Sequence, residues 1–225
     1  MTKNKNISLI NALKERRSVR GFKPERVPEQ DIQEILELAQ LSPSNCNTQP
    51  WRTLLASGDA CTQLREQMVT AFTEGVAPNP DFPHINKFEG DLRTRQVECA
   101  QALYGAMGVA REDKLGRLAA STRNYAFFDA PHVLFIGMDR EFPSTIAVDI
   151  GMYAQSIMLL MTAYGISSCA QASVSYYPDI IRSFFDEPQK TGILFGISFG
   201  YEDTSIPANQ ARTNRAPLSE ILKEV

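Results

Sequence analysis

Residues 15–22, ERRSVRGF, place Arg16, Arg17 and Arg20 within five positions of a 225-residue chain whose net charge is −3. Arginine is mostly a surface residue, so the cluster reads first as a solvated turn. Guanidinium forks gathered this closely also match a dianionic phosphate. The neighbouring segments bear on the choice. Upstream, Ile7, Ile10 and Leu13 are spaced for a short helix over 7–15. Downstream, Pro28 opens a second helix with Glu29 and Asp31 in its first turn, where acids suit the macrodipole. Ile32, Ile35, Leu36 and Ala39 form its apolar face, and Pro43 ends it.

A second polar cluster follows. Residues 42–51, SPSNCNTQPW, pack Ser44, Asn45, Asn47, Thr48 and Gln49 between two prolines. Ser, Asn and Pro dominate turns, so alone the stretch reads as a helix-to-strand loop. Its amides also carry both donor and acceptor, as recognition of a heteroaromatic edge requires. Trp51 reads as a core anchor.

Further along, strands are expected over 51–57, 131–139, 166–172 and 191–201, the last with glycines that permit close backbone approach. Helices are expected over 59–72, capped by Asp59, and over 92–115, 144–164 and 178–185; the third is long and mostly buried. Residues 75–90, with Pro78, Pro80 and Pro83, are irregular and read as a mobile cover near a site. Phe82, Phe88, Tyr104, Phe127 and Phe128 could line a flat pocket, with Asn124 and Tyr125 as polar contacts, although aromatics are more often plain core. The tail from Glu202 has little periodicity until Leu218. Three or four strands alternating with longer helices point to an α+β or mixed sheet layer covered by helices.

Composition excludes several classes. A share of 43% hydrophobic and 22% charged residues is ordinary for a folded domain. The slight acidic excess argues against a nucleic-acid binder. Cys46, Cys61, Cys99 and Cys169 lie far apart, which disfavours zinc, iron–sulfur and disulfide frameworks and fits a reduced cytoplasmic setting. Two histidines, His84 and His132, leave little for a metal site or a Ser-His-Asp triad. No Rossmann, P-loop, nucleophile-elbow or zincin motif appears. No basic region with a following apolar run opens the sequence, which argues against a secretory signal. The apolar stretch 146–166 is interrupted by Asp149, Gly151, Gln155 and Gly165, and reads as a buried helix rather than a membrane span.

Taken together, RRSVR and SPSNCNTQPW resemble the nitroreductase family of flavoproteins, and the resemblance extends to the closing segment ANQARTNRAPLSEIL (208–222). It implies a mixed, mainly antiparallel sheet flanked by helices, in one domain over 1–225. The intertwined homodimer would share two flavin sites, with 202–225 embracing the partner. FMN is the implied cofactor. Arg16 and Ser18 would bind its phosphate and ribityl chain, Arg17 would assist, and Arg20 would sit near N1 and O2. Pro43, Ser44, Asn45, Asn47 and Gln49 would reach the flavin of the other subunit. Arg215, with Arg212 as second candidate, matches the C-terminal phosphate contact, and the backbone at Gln171 and Ala172 would pass the flavin edge. The resemblance implies NAD(P)H as hydride donor and a nitroaromatic or quinone-like acceptor, taken in turn at one place by a ping-pong mechanism.

Physical chemistry agrees with that picture. A phosphate needs about two charge-assisted partners to offset its desolvation. A cation near N1 and O2 stabilises the negative charge that a reduced flavin develops. Other readings stay open: another flavin reaction on the same fold, such as reductive dehalogenation or flavin reduction; a non-catalytic flavin-binding module; a structural dimer without ligand. The sequence does not set NADH against NADPH.

Overall fold

Four strands carry the architecture: β1 (Arg52–Ser57), β2 (His132–Asp139), β3 (Ser167–Gln171) and β4 (Thr191–Gly200). The computed structural model describes residues 7–85 and 87–224. In it the strands form one sheet of order β1-β2-β4-β3, and every neighbouring pair is antiparallel. The parallel component is a single bridge between Ser18 and Ser168.

The unbroken apolar run of β2 follows from its place in the middle of the sheet, buried from His132 to Met138. Successive side chains face opposite ways. Leu134, Ile136 and Met138 enter one core with Ile32, Ile35 and Ala39 of α2 (Glu29–Ala39) and Ile150, Tyr153, Ile157 and Met161 of α6 (Ala147–Ala163). Val133 and Phe135 enter the other, with Leu64 and Met68 of α3 (Asp59–Thr73), Tyr125 of α5 (Lys114–Tyr125) and Ile181 of α7 (Pro178–Phe185). Each such side chain contributes about 1.5–3 kcal/mol on burial. The register slips between Ile136 and Gly137, where a Cβ on Gly137 would run into the Gly192 carbonyl. Trp51 is the expected anchor, its ring stacked on Tyr153 at 4.6 Å and 3°. Tyr125, Phe127 and Phe128 are also core, as aromatics usually are.

The structure departs from expectation in four places. The helix expected over 92–115 is two: α4 (Gly90–Ala106) stops before Gly108, whose φ is +67°, and α5 restarts after Asp113, whose Oδ1 accepts from Gly116 N–H at 2.8 Å. Gly58, not Asp59, occupies the N-cap of α3; Asp59 is the first helical residue and pairs with Arg26 at 3.1 Å. The long helix begins as a 3-10 turn, Ser144–Ile146, and only one face of α6 is buried. With that turn it is long and apolar enough to cross a membrane (20 residues, mean hydropathy 1.5), yet its buried face packs on the sheet and α2. Its other face leaves Val148 64% and Met152 37% exposed.

The fourth departure is the segment expected as a mobile cover, of which Asn86 lies outside the described residues. It is irregular but tied down. Asp81 pairs with Arg182 at 2.6 Å and accepts from Ile193 N–H at 2.9 Å. Asn79 N–H donates to the Tyr176 carbonyl, and His84 Nε2 lies 3.1 Å from Ser175 Oγ. Each of these partners lies about a hundred residues away in sequence, so the local pattern shows only a proline-rich loop.

Candidate functional site

The arginine turn is laid along an edge of the sheet. After α1 (Leu9–Glu15), Arg16 closes the helix and the chain runs beside β3, with Val19 N–H donating to the Ser168 carbonyl at 3.0 Å. Val19 and Phe22 insert into a small cluster with Phe128, Ala130 and Cys169. The Cys169 thiol is held between this cluster and Ser18, Arg20 and Arg16. Burial pushes its pKa up and outweighs the lowering by those neighbours, so the thiol is an inert floor rather than a nucleophile. Beside it the chain takes three consecutive positive φ values at Phe127, Phe128 and Asp129, braced by Arg123, which pairs with Asp129 at 3.0 Å and donates to the Arg20 carbonyl at 3.2 Å.

The far end of the chain returns to this turn through Asn209, a residue that sequence reasoning missed. Asn209 is 1% exposed. Its Oδ1 accepts from Arg20 N–H at 2.7 Å, and its Nδ2 donates to the carbonyls of Gly21 at 2.9 Å and Asp203 at 2.8 Å. Its own carbonyl accepts from Arg17 at 3.2 Å and from Arg212 at 2.8 Å. Arg17 also pairs with Glu202. Arg17 is therefore already committed to protein partners, which leaves it little for a ligand. Arg20 donates to the Ser18 carbonyl at 3.3 Å. The Arg16 backbone N–H closes α1 on the Ala12 carbonyl at 2.9 Å, but its guanidinium makes no hydrogen bond or ion pair among the described residues; Arg16 lines a hollow of about 200 Å³ with Glu15, Arg17, Thr162, Ser168 and Glu202.

Arg215 lies apart from that hollow. It bonds the hydroxyl of Thr213 at 3.2 Å and the Asn214 carbonyl at 3.0 Å, and lines a cleft of about 550 Å³ between the tail and α4. There Arg95 pairs with Glu220 of α8 (Leu218–Ile221) at 2.8 Å. The Gln171 side chain is buried and engaged, donating to the Asn124 carbonyl at 2.8 Å and accepting from Ser198 Oγ; Ala172 beside it is exposed.

The asparagine loop is held elsewhere. It forms a 3-10 turn, Asn45–Asn47, with positive φ at Cys46, Asn47 and Gln49, none of them glycine. Asn45 N–H donates to Asp149 Oδ2 at 3.0 Å, Gln49 N–H to Ser44 Oγ at 2.9 Å, and Ser42 Oγ to Ser156 Oγ at 2.8 Å. Pro43, Asn45, Asn47 and Gln49 are exposed and Ser44 is half-buried. The loop thus presents amides to solvent on a fixed backbone.

These two clusters stand at opposite ends of α6. Asp149 is in its first turn, whereas Thr162 near its last turn shares the Arg16 hollow. At 1.5 Å per residue the separation is roughly 20 Å. One chain therefore does not bring the arginines and the amides to the same atoms of a ligand. The arginine hollow, where the Arg16 guanidinium has no partner among the described residues, offers a fork to a phosphate; the amide loop suits a heteroaromatic edge.

The chain is similar to known proteins along almost its whole length. The model of the nitroreductase family matches residues 13–201. Nitroreductase NfnB of Mycolicibacterium smegmatis is 41% identical over 209 residues, covering 92% of this chain and 88% of the relative. A 4-nitrobenzoate reductase of Nocardioides sp. is 33% identical, covering 90% and 84%. The crystal structure of the FMN-dependent nitroreductase NfnB from Mycobacterium smegmatis in complex with NADPH superposes with a TM-score of 0.91 at 39% identity, covering 97% of this chain and 100% of that one.

Proposed function

Because this chain belongs to the nitroreductase family, we propose that it is an FMN-dependent NAD(P)H oxidoreductase that reduces nitroaromatic or quinone-like acceptors. The observation that carries the cofactor reading is the Arg16 guanidinium, without a partner among the described residues, in a turn fixed by backbone bonds to β3 and by Asn209. Bound FMN would supply the two-electron redox chemistry between NAD(P)H and the acceptor. The chain's task is to bind and orient. Arg16 and Ser18 hold the phosphate and ribityl chain. Arg20 supplies positive charge near N1 and O2, while the Arg17–Glu202 pair braces the turn and lines the same hollow as Arg16. Arg212 and Arg215 add cationic charge from the tail, and the backbone at Gln171 and Ala172 borders the ring.

The working unit is a homodimer with two shared sites. A two-fold axis that lays α6 antiparallel on its copy brings the loop 43–49 of one chain beside the arginine turn of the other. Solvent-facing apolar residues support this arrangement. Val148 and Met152 on α6, and Leu9, Ile10 and Leu13 on α1 at 65%, 64% and 53% exposure, offer a continuous face to a second copy. Leu218, Ile221 and Leu222 expose 65%, 72% and 48%, which suits a tail that embraces the partner.

The test is direct. Purified protein should be yellow, or turn yellow on incubation with FMN, and should oxidise NAD(P)H faster when a nitroaromatic is added. A colourless protein that takes up no FMN removes the proposal. Bound flavin without NAD(P)H consumption leaves the binding-module reading instead.

A further inference from the structure

Asp149 is a buried acid, 6% exposed, with no role in the chemistry described above. It lies in the first turn of α6, where the positive end of the helix macrodipole favours a carboxylate. Its Oδ2 accepts the Asn45 N–H that opens the 3-10 turn of the amide loop. That loop then passes through positive φ at Cys46, Asn47 and Gln49, a path that persists only where the surroundings over-determine it. The Ser44 to Gln49 bond is internal to the loop, and the Ser42 to Ser156 bond precedes it. Among the described residues, the tie between Asn45 and Asp149 is therefore the hydrogen bond that fixes the turn itself to the helix. On the same helical turn, Val148 and Met152 face outward, on the face that the proposed dimer buries.

From this contact we infer that Asp149 is a positioning residue of the flavin site. It locks loop 44–49 to the helix whose outer face docks the second subunit, so that the amides meet the partner's flavin ring in one pose. The inference rests on the shared-site reading above, and the experiment separates the two. FMN and riboflavin, which differ only by the phosphate, are titrated into the apo dimers of wild type, Arg16→Ala, Asp149→Ala and Asp149→Asn. Arg16→Ala should weaken FMN more than tenfold and leave riboflavin within twofold, because it acts on the phosphate. Asp149→Ala should weaken both by the same factor, about tenfold, because it acts on the ring side. Asp149→Asn, which keeps a neutral acceptor, should cost about threefold for each. At saturating FMN the visible circular dichroism of the flavin should also change in Asp149→Ala, which a merely destabilising substitution would leave alone. If Arg16→Ala discriminates and the Asp149 variants match wild type in both affinities and in the flavin spectrum, the inference is overturned. If Arg16→Ala weakens both ligands alike, the phosphate reading beneath it fails. Should Asp149→Ala not fold, Asp149→Asn decides: equal loss for both ligands supports the inference, and no loss overturns it.

Discussion

Replacing Asp81 by alanine strikes the contact that ties the proline-rich segment to the body of the protein. The Asp81 and Arg182 side chains are each 2% exposed and meet at 2.6 Å. Asp81 Oδ2 also accepts from Ile193 N–H at 2.9 Å, and Arg140 approaches Oδ1 at 3.3 Å. Without the carboxylate, Arg182 keeps Asp179 at 2.6 Å, but that acid is 58% exposed and its help is screened. Arg182 Nε already lacks a partner among the described residues. Breaking a buried ion pair on one side costs about 3–5 kcal/mol, and an orphaned buried N–H adds about 1–3 kcal/mol. The remaining bonds from Arg182 to Asp179 and the Thr191 carbonyl offset part of this, so a net loss of about 4 kcal/mol is expected. Urea unfolding of the apo-protein, followed by far-ultraviolet circular dichroism at one protein concentration, measures it. The double variant Asp81→Ala with Arg182→Met removes the stranded charge and should recover more than half of the loss. A loss below about 1 kcal/mol in the single variant, or no recovery in the double, refutes the assignment of this pair as the anchor.

Two other perturbations test the frame around the site. His132 takes the Val27 N–H on Nε2 at 2.9 Å, so its proton resides on Nδ1, 2.8 Å from Ser57 Oγ. Burial first, then Arg26, holds its pKa down to about 4 from 6.5. The unfolded chain takes up this proton first, so the associated stability is present above pH 6.5 and is lost as pH falls toward 4. The total is about 3 kcal/mol. Unfolding free energies at pH 7, 5.5 and 4 should fall less steeply for His132→Asn; parallel profiles would contradict this. Asn209→Ala removes three bonds to buried or half-buried backbone and should cost about 3 kcal/mol, and flavin content after gel filtration should fall with it. Full stability and full flavin content would show that Asn209 does not fix the arginine turn.

Much of the frame was legible because its signals are local. The apolar run of β2, Pro28 before α2, and Pro178 as the first residue of α7 each act through neighbouring residues, and those elements start within a residue or two of expectation. The break between α4 and α5, marked by Gly108 and Asp113, falls inside the stretch 92–115 that reads as one helix. The candidate site is marked in the sequence only in part. Its arginines and amides stand out by composition, whereas the residues that aim them do not. Asn209 and Asp149 act on partners 188 and 104 positions away, so nothing in their sequence surroundings marks them. The commitment of Arg17 to Glu202 is hidden for the same reason, at 185 positions.

The turn that carries Arg16 and Arg20 also shields the outer rim of β3, since Val19 bonds the Ser168 backbone there. An outermost strand with free backbone groups is a template for unwanted self-association. Anything that loosens this turn therefore uncovers a sticky border and, on the proposed reading of the site, weakens cofactor capture as well. Flavin-starved protein should precipitate sooner than replete protein at equal net charge, and supplying the vitamin-derived cofactor during expression should raise soluble yield.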